Sequence, residues 1–128
     1  TDAVQWVYGV SDERIVELYA EAELAVVPSL YEGFSLPAIE AQCSGVPLVA
    51  TTGGALKEVV GPDGETAFTC PPGDAAAQTR HILGVMAAAL EELTEFLVLQ
   101  LQRGTLPELS IPCDPFLSYF FHFSASLG

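Results

Sequence analysis

Glu32 and Glu40 are two carboxylates eight positions apart in the stretch VVPSLYEGFSLPAIEAQCSGVP, which runs from Val26 to Pro47. The spacing puts Glu32 in a loop after an apolar run and Glu40 about one turn inside a short helix that begins near Ser35. The first N–H groups of such a helix, from Ser35, Leu36 and Ala38, lack intrahelical partners, and Pro37 contributes none. Those N–H groups and the positive end of the helix dipole suit a phosphate. Gly33, with no side chain, lets a ligand approach the backbone beside them. A carboxylate only accepts hydrogen bonds, so its natural partner next to a phosphate is a pair of hydroxyls such as a ribose diol. The constellation describes a nucleotide-sugar, with ribose at Glu40, diphosphate at the helix start and hexose at Glu32. A plainer reading stands beside it: a solvated loop glutamate, a helix-dipole partner and a turn glycine.

Such a loop functions only if a scaffold delivers it to a crevice, and the surrounding pattern predicts one. Val4 to Tyr8 (VQWVY) reads as a buried strand closed by Gly9, and Ser11 caps a helix whose first turn carries Asp12 and Glu13. Leu24 to Pro28 reads as a fully buried strand, the helix from Ser35 ends at Gly45, and Pro47 to Thr51 is a further apolar run broken by Gly53-Gly54. Leu56 to Val60 is a short helix, GPDG from Gly61 a turn, Thr66 to Cys70 a strand, and Asp74 to Arg103 a long helix with a broad apolar stripe, ended by Gly104. Apolar strands alternating with helices predict an α/β fold: a partial Rossmann-like parallel sheet with helices on both faces. In such sheets ligands collect outside the carboxyl ends of the strands, where Pro28 to Phe34 falls. Residues 1–104 form this partial domain, and 105–128, rich in proline and then in aromatics, carry no derivable structure.

The 128 residues suit one core, and four basic residues against seventeen acidic ones give a net charge of −13, which repels nucleic acid and anionic headgroups. Cys43, Cys70 and Cys113 lack the spacing of a disulfide framework or a zinc site and read as reduced thiols. No metal site, signal peptide or transmembrane segment is expected, since even the apolar window Pro115 to Leu127 is shorter than the roughly 20 residues of a spanning helix. His81 and His122 have no partners at chemical spacing.

SLYEGFSLPAIEAQCSGVPLVATTGG, preceded by GVSDERIVELYAEAELAVVPS and followed by EVVGPDGETAFTCPPGD, resembles the nucleotide-sugar-binding domain of glycosyltransferases of the group 1 (family 4) type. The likeness runs from about Val7 to Asp74. It implies the C-terminal half of a two-domain GT-B architecture and transfer with retention of anomeric configuration. The family's Glu-x7-Glu motif falls on Glu32 and Glu40, with Glu40 on the ribose, Glu32 near the donor sugar as the catalytic carboxylate, and Gly33, Phe34, Ser35 and Leu36 around sugar and diphosphate. Val10 offers its backbone to the nucleobase edge on this likeness; a core valine at a strand end is the equal alternative. Thr52, Gly53 and Gly54 match a loop given a shaping role only.

The likeness also implies an N-terminal domain for the acceptor and a basic Arg/Lys pair on the diphosphate, neither of which lies in these residues; Arg14, Lys57, Arg80 and Arg103 are off the crevice loop. The expectation is therefore the donor-binding part of a cytoplasmic, retaining hexosyltransferase that uses a nucleoside-diphosphate-sugar and a hydroxyl acceptor, without further cofactor. As a truncated fragment the chain alone is expected to be inactive, and in the full-length enzyme a peripheral membrane association is compatible with this reading. The competing class is a non-catalytic nucleotide-sugar-binding or interaction module.

Overall fold

A computed structural model of the chain describes residues 3–103. The elements run in the order α1 (Asp12–Glu21), β1 (Ala25–Val27), α2 (Leu36–Cys43), β2 (Leu48–Thr51), α3 (Leu56–Val60), β3 (Phe68–Cys70) and α4 (Ala75–Gln102). The three strands form one parallel sheet in the order β1-β2-β3. Ala25 lies opposite Leu48, and Val49 opposite Phe68. Parallel strands need crossovers, and α2 and α3 are those crossovers.

Every residue of the central strand β2 is buried. Side chains alternate across a strand, so Leu48 and Ala50 share one face and join Val27, Ala38, Ala41, Leu56, Val60 and Ala67 in the core cluster. That face is covered by α2 and α3, which also touch each other, while α4 lies along β2 and β3. The amide of Gln42 donates to the Val60 carbonyl at 3.1 Å and ties α2 to α3. The α/β class, the parallel strands and their flanking helices are those expected.

Caps follow the local chemistry. The Ser11 hydroxyl accepts from the Arg14 amide at 3.3 Å at the start of α1, and an Asp74 carboxylate oxygen accepts from the Ala77 amide at 2.8 Å at the start of α4. Gly45 takes φ +70° just past α2, the left-handed residue the sequence requires there.

Two strand expectations need correction. Val4 to Tyr8 forms no strand: Trp6 is 76% and Tyr8 79% exposed, and no strand runs beside them among the described residues. An apolar run becomes a strand only when its backbone groups find a neighbouring ladder. Leu24 to Pro28 shortens to β1, and it is not fully buried, because Val26 is 39% exposed. Its only strand neighbour among the described residues is β2, which makes it an edge. The expected end of the long helix at Gly104 and everything said of 105–128 lie outside the described residues.

Candidate functional site

The crevice loop leaves β1 at Pro28 and enters α2 at Ser35. Its middle is fastened to the loop that follows β2. The Glu32 amide donates to the Gly53 carbonyl at 3.3 Å, the Ala55 amide donates to the Glu32 carbonyl at 2.8 Å, and Glu32 and Gly54 make an isolated parallel bridge. The backbone at Glu32 thus extends the sheet pairing by one residue on each side. Nearer β1, the Thr51 hydroxyl donates to the Ser29 carbonyl.

The two glycines explain how the loops come so close. A side chain on Gly53 would run into the Leu30 carbonyl, and one on Gly54 into the Glu32 carbonyl; Gly54 also has φ +64°, in the left-handed region. The shaping role read for this loop is visible as backbone lying on backbone.

Glu32 is half-buried, and its Oε1 accepts a 2.6 Å hydrogen bond from the Ser29 hydroxyl. A short bond to a carboxylate is a strong one and fixes the side chain's direction. Gly33, Phe34 and Leu36 are exposed, Phe34 at 62% and Leu36 at 59%, and no atom crowds the position a side chain on Gly33 would take. This stretch is open to a ligand. Ser35 differs: it is the N-cap residue of α2, fully buried, and its hydroxyl makes no cap bond and has no hydrogen-bond partner. A buried unpartnered hydroxyl at a helix start is costly, and at 0% exposure it is shut off from solvent on this face.

Glu40 lies in the second turn of α2, half-buried. Its Oε2 accepts from the Tyr19 hydroxyl at 3.2 Å, and the same hydroxyl also lies 3.2 Å from the Pro37 carbonyl. Tyr19 was not singled out as a functional residue by the sequence. Its place in an amphipathic pattern reads as core, and only the fold shows α1 reaching α2 through its hydroxyl. Burial raises the Tyr19 phenol above its ordinary value, and the hydrogen bond to Glu40 and that carboxylate's charge add to the effect. Val10, 37% exposed, immediately precedes the Ser11 cap of α1, not the end of a strand.

His81 stacks on Phe68 with ring centroids 5.6 Å apart, a packing role. Cys43 is exposed and Cys70 buried, both free; burial pushes the Cys70 thiol up, helped by the charges of Asp74 and Asp63. Arg14 is engaged along α1 with Glu17 at 2.9 Å and Glu21 at 3.2 Å, away from the crevice loop. Among the described residues no cluster of His, Cys, Asp and Glu could hold a metal, and no helix is long and apolar enough to cross a membrane.

Comparison with known proteins puts this geometry in context. Over 93 residues the chain is 52% identical to MMP alpha-(1->4)-mannosyltransferase of Mycolicibacterium hassiacum, which covers 73% of this chain and 22% of that protein. It is 46% identical over 74 residues to O-antigen chain mannosyltransferase B of Escherichia coli, covering 58% of this chain and 19% of the other. Glycogen synthase of Mycobacterium tuberculosis is 39% identical over 90 residues, 68% of this chain and 22% of its own. Among solved structures, sucrose-phosphate synthase from Thermosynechococcus elongatus superposes with a TM-score of 0.62 at 40% identity, over 67% of this chain and 21% of that one. The chain thus spans about a fifth of the length of these relatives. Residues 1–95, which include the crevice loop, both glutamates and the glycine loop behind them, match the model for glycosyl transferases group 1, and the chain belongs to that enzyme family.

Proposed function

We propose that the chain is the donor-binding portion of a retaining glycosyltransferase that moves a sugar from a nucleoside-diphosphate-sugar to a hydroxyl acceptor. The observation that carries this reading is the fastening of Glu32 to Gly53 and Ala55 directly ahead of the α2 start, with Gly33, Phe34 and Leu36 exposed at that start. Glu40 accepts from the ribose hydroxyls. The backbone from Gly33 to Leu36 surrounds the diphosphate and sugar, the helix end supplies positive potential, and Val10 offers its backbone to the base. Glu32, aimed by Ser29, orients the sugar and stabilises the positive charge that develops at the anomeric carbon. The departing diphosphate assists the incoming hydroxyl on the same face. In this reading the acceptor and the remaining diphosphate charge are met by other parts of the enzyme, and the free thiols suit a reducing cytoplasm. Two of the relatives are named mannosyltransferases, so activated mannose is the first donor to try.

The test separates the two carboxylates. Glu40→Gln exchanges one acceptor oxygen for a donor and weakens binding of the free nucleoside diphosphate by about 1.5–3 kcal/mol, the scale of a hydrogen bond to a charged group. Glu32→Gln leaves that affinity nearly unchanged and lowers turnover in the full-length enzyme, as expected of a contact strengthened in the transition state. Equal losses of nucleotide affinity in both variants would overturn the assignment.

A further inference from the structure

Helix α1 has no fully buried residue, and of its half-buried side chains Tyr19 reaches both the core and the candidate site. The ring of Tyr19 packs against the core cluster, and its hydroxyl reaches α2, where the Pro37 carbonyl and Glu40 Oε2 both lie at 3.2 Å. A phenol has one proton to donate, and here both acceptors belong to one helical turn. Glu40 is thereby held back toward the start of α2 through Oε2, with Oε1 outside this contact. A long carboxylate side chain at a half-buried position otherwise samples several rotamers, and fixing it costs binding free energy at the moment a ligand arrives.

We infer that Tyr19 is a positioning residue of the nucleotide site: its hydroxyl, reaching across from α1, sets the Glu40 carboxylate to receive the ribose diol of a nucleoside diphosphate. The inference rests on the assignment of Glu40 to the ribose. Tyr19 touches no ligand in this arrangement and acts through Glu40. It also makes the angle of α1 against α2 part of the site, although α1 carries no other hydrogen-bonded contact to Glu40 among the described residues.

The experiment is a calorimetric titration of the full chain and of its Tyr19→Phe, Glu40→Gln and doubly substituted forms. The probes are GDP, UDP and ADP, then the 2′,3′-dideoxy form of whichever binds. Tyr19→Phe keeps the ring that packs on the core and removes only the hydroxyl. It is expected to weaken the ribonucleotide about threefold to tenfold, the scale of one hydrogen bond and one freed side chain. The dideoxy nucleotide, lacking the diol, is expected to bind the wild type and Tyr19→Phe alike. In the Glu40→Gln background the second substitution is expected to add little, because coupled groups are not additive. Equal losses for ribo and dideoxy forms would reveal a merely structural tyrosine and overturn the inference. An unchanged ribonucleotide affinity in Tyr19→Phe, with Glu40→Gln still weakened, would overturn it alone. No loss in Glu40→Gln would instead remove the ribose assignment and the inference with it.

Discussion

Gly54 combines two constraints in one residue: a φ of +64° and a neighbouring carbonyl, that of Glu32, where a side chain would begin. Left-handed backbone costs an L-residue about 1–2 kcal/mol, and the clash with main chain adds to it because main chain cannot swing aside. Gly54→Ala is therefore expected to lower stability by at least about 2 kcal/mol and to loosen the Glu32 loop, as read by thermal melting and by faster exchange of the Glu32 amide. Tyr19 gives a second residue-scale expectation, in pH. Its phenol is raised in the fold, first by burial and then by Glu40, so the folded state holds the proton more tightly than the unfolded chain. The stability this contributes is complete below the ordinary phenol value of about 10 and is lost as pH rises through the higher folded value. Denaturant titrations above that ordinary value are expected to show a shallower loss of stability with pH in Tyr19→Phe than in the wild type. Pattern places Glu32 in a loop and Glu40 one turn into a helix, and the family resemblance singles them out together with the two glycines. Pattern conceals Tyr19 and Ser29, whose partners lie on another helix or depend on the loop's exact path.

At the scale of elements, α2, α3 and the central strand were legible because local signals agree with tertiary demands: Pro37 in the first turn, Gly45 after the last, and the run from Leu48 to Thr51 buried on both faces. The run from Val4 to Tyr8 reads as a strand yet forms none, because a strand is a property of a pair. Apolar and β-branched composition states only that a segment suits a sheet, not that a neighbour is there. The long helix α4 shows a related limit. Its apolar stripe is wider than the surface it covers: Val85 is 3% exposed, whereas Leu83 is 60%, Leu90 64% and Leu93 51% exposed. Val85→Ala is expected to cost about 1.5–3 kcal/mol through lost burial and the space left behind. Leu90→Ala, on the uncovered side, is expected to stay within about 0.5 kcal/mol, and chemical denaturation of the two variants compares them directly.

For the whole molecule, two surface features pull in opposite directions. The net charge of −13 keeps copies apart, while Trp6, Tyr8, Leu83 and Leu90 leave apolar surface in water. Salt weakens the first and not the second, since the Debye length shrinks from about 10 Å at 0.1 M to about 3 Å at 1 M. The 128-residue chain is expected to self-associate more as salt rises, and sedimentation velocity across a salt series checks this. The bridge between Glu32 and Gly54 has its own consequence at this scale. Because the crevice loop is stitched to the sheet on both sides of Glu32, a ligand meets a surface whose main chain is already in place. Under the proposed donor-binding role, recognition then resembles a key entering a cut lock: encounter sets the pace, and selectivity between sugars resides in side-chain contacts, not in a loop refolding around each one.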